Sequence, residues 1–254
     1  MRITLHSNTY SGVAGSSMTD TRCEQTLALY RFIQSHPALS YTDVRRQTVQ
    51  DGLYRSESVL RTFCPLLREL GYVTYGTNEP FQFTSDGELF VYILMAQENL
   101  ELLDDPSIKT AVSARLQDAR ARIIELGILN MNRSDEDICR EHNIWMVLHI
   151  LKNLGSIDWS EFFLALKVFK EDHSTLADFS SQIAQNRTNG VEYQTYNEDG
   201  QTVADTQWSY IRSLLREANL ISDNGRTSTL TTEGQQFVNK VTLWNLLRTT
   251  SRGT

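Results

Sequence analysis

The sequence predicts a mainly helical α+β protein that contains two similar units. Residues 66–69 (Leu-Leu-Arg-Glu) recur at 214–217, and a Thr-x-x-Gly phrase within residues 83–87 recurs within 230–234. The copies are 148 positions apart at the first phrase and 147 at the second. A nearly constant offset indicates a duplicated unit, and one missing residue fits a shortened loop tip. The 254 residues, 40% hydrophobic and 22% charged, can form two small cores.

Both copies predict the same order of elements. An amphipathic helix ends at a turn, Gly71 in one copy and Asn219 in the other, and a short β-ribbon and a second helix follow. This is the order of the C-terminal half of a winged helix. Chance similarity between two amphipathic helices is the alternative, but we favour a repeat because helix, turn, ribbon and helix cap recur together. The predicted fold class is therefore mainly α with small β-wings, as two winged-helix domains joined by a helical linker.

The first unit has the pattern of a helix-turn-helix. A helix over residues 23–35 stops at His36-Pro37, and Ser40 with Asp43 forms the start of a second helix. Asp51-Gly52 makes the next turn, and a third helix follows over residues 56–70, interrupted or bent at Pro65. Residues 72–84 then predict a hairpin with a polar tip, the wing.

The third helix of such a motif enters the major groove of DNA through its N-terminal residues. Arginine, serine and asparagine side chains there, on the preceding helix and at the wing tip suit contacts with bases and phosphates, although the solvated face of a core helix has the same composition. The predicted DNA-binding residues of the first unit are Arg45, Arg46, Arg55, Ser56, Ser58, Arg61, Thr77 and Asn78.

Two helices are predicted between the repeated segments. The first, over residues 86–103, is strongly apolar and ends at Asp104-Asp105-Pro106. The second, over residues 108–126, is amphipathic, with apolar residues at three- and four-residue steps, and it either packs between the domains or dimerises two chains. The predicted organisation is an N-terminal tail (1–20), a first domain (21–104), a helical linker (105–135) and a second domain (136–254) with an insertion near 174–203.

The second unit repeats the scheme with an inserted polar segment. Helices are predicted over residues 144–154, from 156 and from 206, and Asn224-Gly225 marks a tight hairpin turn. The insertion carries Gln, Asn and Arg side chains that suit base edges, although a polar surface loop explains them equally well. The predicted DNA-binding residues of this unit are Gln185, Asn186, Arg187, Gln207, Ser209, Arg212 and Arg226.

Composition and motifs argue against several other classes. A net charge of −7 is unfavourable for a protein that coats DNA without regard to sequence. The three cysteines, Cys23, Cys64 and Cys139, are widely spaced, which predicts free thiols and neither disulfides nor a zinc site.

Phosphate-binding loops, nucleophile elbows and dinucleotide fingerprints are missing, so no cofactor or metal is expected. With no apolar run long enough for a membrane span and no signal pattern, a cytoplasmic protein without a membrane partner is expected.

Residues 148–163, followed at a distance by 183–187, resemble the recognition portion of some type II restriction endonucleases. Those enzymes read DNA with winged-helix modules joined to a separate cleavage domain, so the resemblance implies sequence-specific binding of double-stranded DNA. Cleavage of that type needs an Asp/Glu-x-Lys pair that holds a divalent metal, and we find none. The chain is therefore predicted to be a recognition module without catalytic activity of its own, with a nuclease domain or subunit as partner. A dimeric winged-helix transcription regulator and a protein-interaction scaffold are the alternatives.

Overall fold

The computed structural model describes residues 1–6, 17–77, 79–131, 142–172, 175–204 and 206–251, with backbone only over 242–251. The protein is mainly helical with small sheets, which confirms the predicted α+β class. The chain divides into two compact units: the first unit is Ala14–Met131, and the second unit combines Met1–Val13 with Asn132–Thr254. A short strand, β1 (Arg2–Thr4), opens the chain and belongs to the second unit.

The first unit places three helices before a small hairpin and two after it. Its elements are α1 (Asp20–Ser35), α2 (Tyr41–Gln50), α3 (Ser58–Glu69), β2 (Val73–Thr74), β3 (Gln82–Phe83), α4 (Ser85–Glu98) and α5 (Pro106–Asn130), with a 3-10 turn at Asn99–Leu102 between the last two. Strands β2 and β3 are antiparallel, and an isolated bridge joins Ser40 to Pro80. Ser40 caps α2 as predicted, because its hydroxyl accepts the Asp43 amide at 3.2 Å.

The second unit has three helices, a hairpin and a further helix in the order of α1 to α4, with an extra strand after its first helix and an insertion before its third. Its elements are α6 (Asn143–Leu154), β4 (Ser156–Asp158), α7 (Trp159–Leu166), α8 (Leu176–Thr188), β5 (Gln194–Tyr196), α9 (Thr206–Glu217), β6 (Ile221–Asn224), β7 (Thr227–Leu230) and α10 (Thr232–Ser251), and a π-helical turn, Lys167–Glu171, follows α7. Strands β4, β7 and β6 form an antiparallel sheet in that order. The insertion comprises α8 and β5.

The helix caps at the repeated Thr-x-x-Gly phrases have the same geometry in both units. The Thr84 hydroxyl accepts the Gly87 amide at 3.1 Å and donates to the Gly71 carbonyl at 2.6 Å. The Thr231 hydroxyl accepts the Gly234 amide at 2.9 Å and donates to a backbone carbonyl at 2.6 Å. Each threonine therefore links the start of its own helix to the turn that ends the preceding helix.

The two glycines of these phrases lie against backbone at the same distance. A Cβ atom added to Gly87 would lie 1.9 Å from the Tyr72 carbonyl oxygen, and one added to Gly234 would lie 1.9 Å from the Leu220 carbonyl oxygen. No side chain fits at either position, so both phrases require glycine. The preceding turns also match, because Gly71 and Asn219 both have a positive φ, 79° and 56°.

Residues 1–20 are not a simple tail. Strand β1 pairs in parallel with β5, with Ile3 opposite Thr195, and Ile3 and Leu5 are buried. Apolar side chains in this segment gain stability by burial against the insertion. The paired residues are 192 positions apart in sequence, so periodicity cannot reveal this contact. Helix α1 already begins at Asp20.

The predicted linker helix is an integral part of the first unit. Helix α5 packs against α4, and its C-terminal half buries Ile123, Ile124 and Ile128. The Tyr72 hydroxyl donates to the Ile123 carbonyl at 2.9 Å, which ties the helix to the hairpin region. None of the helices in the described ranges is long and apolar enough to cross a membrane.

Candidate nucleic-acid interface

The segment that opens α3 is solvent-exposed and polar. Arg55, Ser56 and Ser58 are exposed, and the two serine hydroxyls lie 2.6 Å apart. Tyr54 is buried and donates its hydroxyl to the Gln25 carbonyl at 2.7 Å, which fixes the loop before the helix. Within the described part of the chain, no carboxylate lies within ion-pair distance of Arg55, so its guanidinium is free for a ligand.

The other predicted arginines of the first unit are paired with acids. Glu57 lies 3.5 Å from Arg45 and 3.4 Å from Arg61. Arg46 pairs with Asp43 at 2.6 Å. Since these pairs are partly or largely exposed, they are weak and can exchange for a phosphate, but they lower the positive charge beside α3.

A cluster of aromatic rings, Tyr41, Tyr75 and Phe81, lies at the base of the β2–β3 hairpin. Tyr75 stacks on Tyr41 at 4.3 Å and on Phe81 at 5.4 Å between ring centroids. Burial raises the pKa of both tyrosine hydroxyls, so the rings stay neutral. Thr77 is exposed beyond this cluster, and Asn78 lies outside the described residues.

Arg68 is not among the residues that the sequence predicts for the site. This residue is exposed near the end of α3, with its guanidinium 4.8 Å from the centroid of the Tyr75 ring. The repeated Leu-Leu-Arg-Glu phrase was the signal that could have identified it, because the equivalent residue in the other unit is also an arginine, Arg216.

In the second unit, one aspartate binds two arginines of α9. The Asp223 carboxylate lies 3.7 Å from Arg212 and 3.3 Å from Arg216, and it accepts the Ser228 hydroxyl at 2.7 Å. Arg212 is therefore less available than predicted. Gln207 and Ser209 are half-buried on the same helix.

Arg226 has the exposed position that the sequence predicted. It follows Gly225, which has a φ of 63°, in the two-residue loop between β6 and β7. The structure gives Arg226 no ion-pair partner among the residues it describes, so its charge is free at the hairpin tip.

The position of Arg187 corrects our expectation for this residue. It donates two hydrogen bonds to the Glu161 carboxylate, at 2.7 and 2.8 Å, and one to the Ser156 carbonyl at 2.9 Å. The hydrogen bonds that Arg187 donates to the Glu161 carboxylate raise the pKa of its guanidinium. We therefore assign Arg187 a structural role that ties α8 to β4 and α7.

The other two predicted residues of the insertion differ from each other in exposure. Gln185 is exposed on α8, whereas Asn186 is half-buried. Among the described residues, no group of three His, Cys, Asp or Glu side chains is arranged to hold an ion. Cys23 and Cys64 are buried free thiols, as predicted, and Cys139 lies outside the described residues.

Comparisons of this chain with protein-family models, with curated proteins and with solved structures find no match.

Proposed function

We propose that the chain binds double-stranded DNA in a sequence-specific manner through two winged-helix modules, one in each unit. The observation that supports this most strongly is the exposed polar surface at the start of α3, with Arg55, Ser56 and Ser58, on a helix followed by a hairpin. A helix of this kind fits the major groove, where arginine and hydroxyl side chains can hydrogen-bond to base edges.

The arrangement of elements in the second unit supports a second DNA-binding module. Helix α9 follows the insertion and leads into the β6–β7 hairpin, whose tip carries the exposed Arg226. An arginine at such a tip suits a backbone phosphate or a narrow minor groove. Two linked modules would raise affinity through effective concentration without a large basic surface on either.

The charge distribution favours specific over nonspecific binding. The chain has a net charge of −7, and Glu57, Asp43 and Asp223 hold several of the arginines beside α3 and α9. Nonspecific affinity depends on cations that neutralise phosphates, so it should be weak and lost at moderate salt. Affinity for a preferred site would then depend on hydrogen bonds to bases.

We further propose that the protein acts in the cytoplasm as the recognition part, or a partner subunit, of a restriction-type nuclease. The support is the resemblance of residues 148–163 and 183–187 to such recognition modules. On this proposal the chain alone binds DNA without cleaving it, and cleavage requires a second domain or subunit.

One observation favours a dimeric transcription regulator as a second candidate. The N-terminal half of α5 exposes apolar side chains, with Ile108 51% and Val112 36% exposed, and Leu102 before it is 78% exposed. Exposed apolar residues on a long helix are typical of a surface that pairs with another helix. A dimer would read two half-sites one helical turn apart.

A selection from a randomised duplex library tests these proposals. The purified chain would be titrated at two salt concentrations, and the retained duplexes would be sequenced. Enrichment of an asymmetric sequence supports the nuclease-type reader, and a palindrome supports the dimeric regulator. If no duplex is retained at low salt, the DNA-binding proposal is wrong, and a protein-interaction scaffold becomes the better explanation.

A further inference from the structure

We infer that phosphate binding is divided unequally between one pair of equivalent arginines: Arg68 of the first unit binds a backbone phosphate, while Arg216 of the second unit is held by an aspartate of its own unit. This inference rests on the proposed DNA-binding function. It comes from three equivalent positions in the two units.

Arg68 and Arg216 occupy equivalent positions, 148 residues apart, near the ends of α3 and α9. The residue seven positions further on is also equivalent, and it is the residue that each arginine contacts. It is Tyr75 in the first unit and Asp223 in the second. The same helix position therefore contacts the same hairpin position in both units, but with different chemistry.

The cross-strand neighbours follow the same division. Asp223 pairs with Ser228 in the β6–β7 register, and their side chains are hydrogen-bonded at 2.7 Å. At the corresponding place in the first unit, Tyr75 stacks on Phe81. In the first unit, the arginine thus lies over a ring of an aromatic pair. In the second unit, the arginine lies beside an aspartate that is hydrogen-bonded to a serine.

This difference decides which guanidinium can bind a phosphate. A guanidinium over an aromatic ring uses its face for the contact, so its five N–H donors and its charge remain available. The Asp223 carboxylate lies beside both Arg216 and Arg212, so a phosphate has to displace this carboxylate before it can bind Arg216. Among the residues that the structure describes, no carboxylate lies within ion-pair distance of Arg68, so of these two arginines Arg68 is the one that can bind a phosphate without displacing an acid.

The ring cluster also orients Arg68. Tyr75 packs against both Tyr41 and Phe81, and the Tyr41 hydroxyl donates to the Leu60 carbonyl on α3 at 3.1 Å. Arg68 therefore contacts a cluster of rings that joins α2, α3 and the hairpin. A cation at the junction of a groove-binding helix and its wing suits the DNA backbone that runs between them.

The test is a titration of the full chain with a fluorescein-labelled, mixed-sequence duplex over a range of salt concentrations. For Arg68→Ala, we expect affinity about tenfold weaker and a salt-dependence slope smaller by about one. Arg68→Lys should keep the slope, since it keeps the charge. Arg216→Ala and the control Arg31→Ala, an exposed arginine on α1 that pairs with Glu98, should each change affinity by less than about twofold.

The outcomes separate the inference from the proposed function. If the wild-type chain binds but Arg68→Ala matches Arg31→Ala, the inference is wrong and the function stands. If Arg216→Ala weakens binding as much as Arg68→Ala, the unequal division is wrong. A wild-type chain that does not bind the duplex at low salt overturns both. Thermal denaturation of each variant checks that the fold is intact, and the salt slope would not respond to a purely structural role of Arg68.

Discussion

Replacing Arg187 by alanine decides whether this side chain stabilises the second unit or contacts DNA. Its three hydrogen bonds go to Glu161 and to the Ser156 carbonyl. The Glu161 side chain is only 7% exposed, and it also accepts the Asp158 amide at 3.1 Å. The substitution therefore leaves a buried carboxylate without its countercharge.

The expected loss follows from the burial of the two partners. Removing one partner of a fully buried ion pair typically costs about 3–5 kcal/mol. Because the Arg187 side chain is 38% exposed, water can enter the vacated space and solvate part of the carboxylate. We therefore expect a smaller decrease, about 2–3 kcal/mol, in the free energy of unfolding.

Urea denaturation of the full chain, followed by circular dichroism, measures this loss. Gln185→Ala is the matched control, since Gln185 is exposed on the same helix and should change stability by less than about 0.5 kcal/mol. In a double-mutant cycle, Glu161→Gln should recover part of the loss, because a neutral amide costs less to leave unpaired. If Arg187→Ala is as stable as the control and binds DNA more weakly, the structural role is wrong and the original DNA-contact prediction is right.

Three further predictions concern stability. Gly87→Ala should prevent stable folding of the first unit, because the new Cβ would lie 1.9 Å from a backbone oxygen. Ser85→Ala, at an exposed position of the same helix, should be tolerated. Circular dichroism of both variants checks this difference. Burial lowers the pKa of Lys170 to about 8, so the unfolded chain holds the proton more tightly, and this group should contribute stability that increases with pH between about 8 and about 10.4. The difference in stability between wild type and Lys170→Met, measured by thermal denaturation, should therefore shift in favour of wild type across this pH window, and a difference that does not change with pH would contradict the assignment. Ile3→Ala should lower the free energy of unfolding by about 2–4 kcal/mol, because this side chain in β1 is 1% exposed, and wild-type stability in urea would show that the β1–β5 pairing is dispensable.

Local signals in the sequence predicted much of the fold. Ser40 and Asp43 predicted the start of α2, and the two Thr-x-x-Gly phrases predicted the starts of α4 and α10. Such caps depend on residues within one helical turn, so they are visible in sequence. The hairpin at Gly225 was predicted for the same reason, since a two-residue loop needs a residue that tolerates a positive φ.

Contacts between distant residues were not predictable in the same way. The pairing of β1 with β5 joins segments that are 192 positions apart in sequence, and a three-residue strand has no recognisable period. The amphipathic pattern of α5 indicated that one face is covered, but not that α4 covers part of it. Periodicity identifies a buried face without identifying its partner.

The candidate site shows the same limit at the level of single charges. Arg187 lies in a polar segment, which predicted that it is available for DNA. It is instead hydrogen-bonded to Glu161, which lies 26 residues earlier in the sequence. Glu57 lies close to Arg61 in sequence, but the pairing of Glu57 with Arg45 depends on how α2 and α3 pack. Whether a cation is free is therefore a property of the tertiary structure.

Hydrogen–deuterium exchange of the full chain, with and without a saturating duplex enriched from the library, tests the central claim most directly. Our account predicts slower exchange in the presence of DNA at residues 54–62, where α3 begins, and at the β6–β7 hairpin around Arg226. Unchanged exchange in both regions at saturation, or protection confined to α5, would contradict DNA recognition by these two modules.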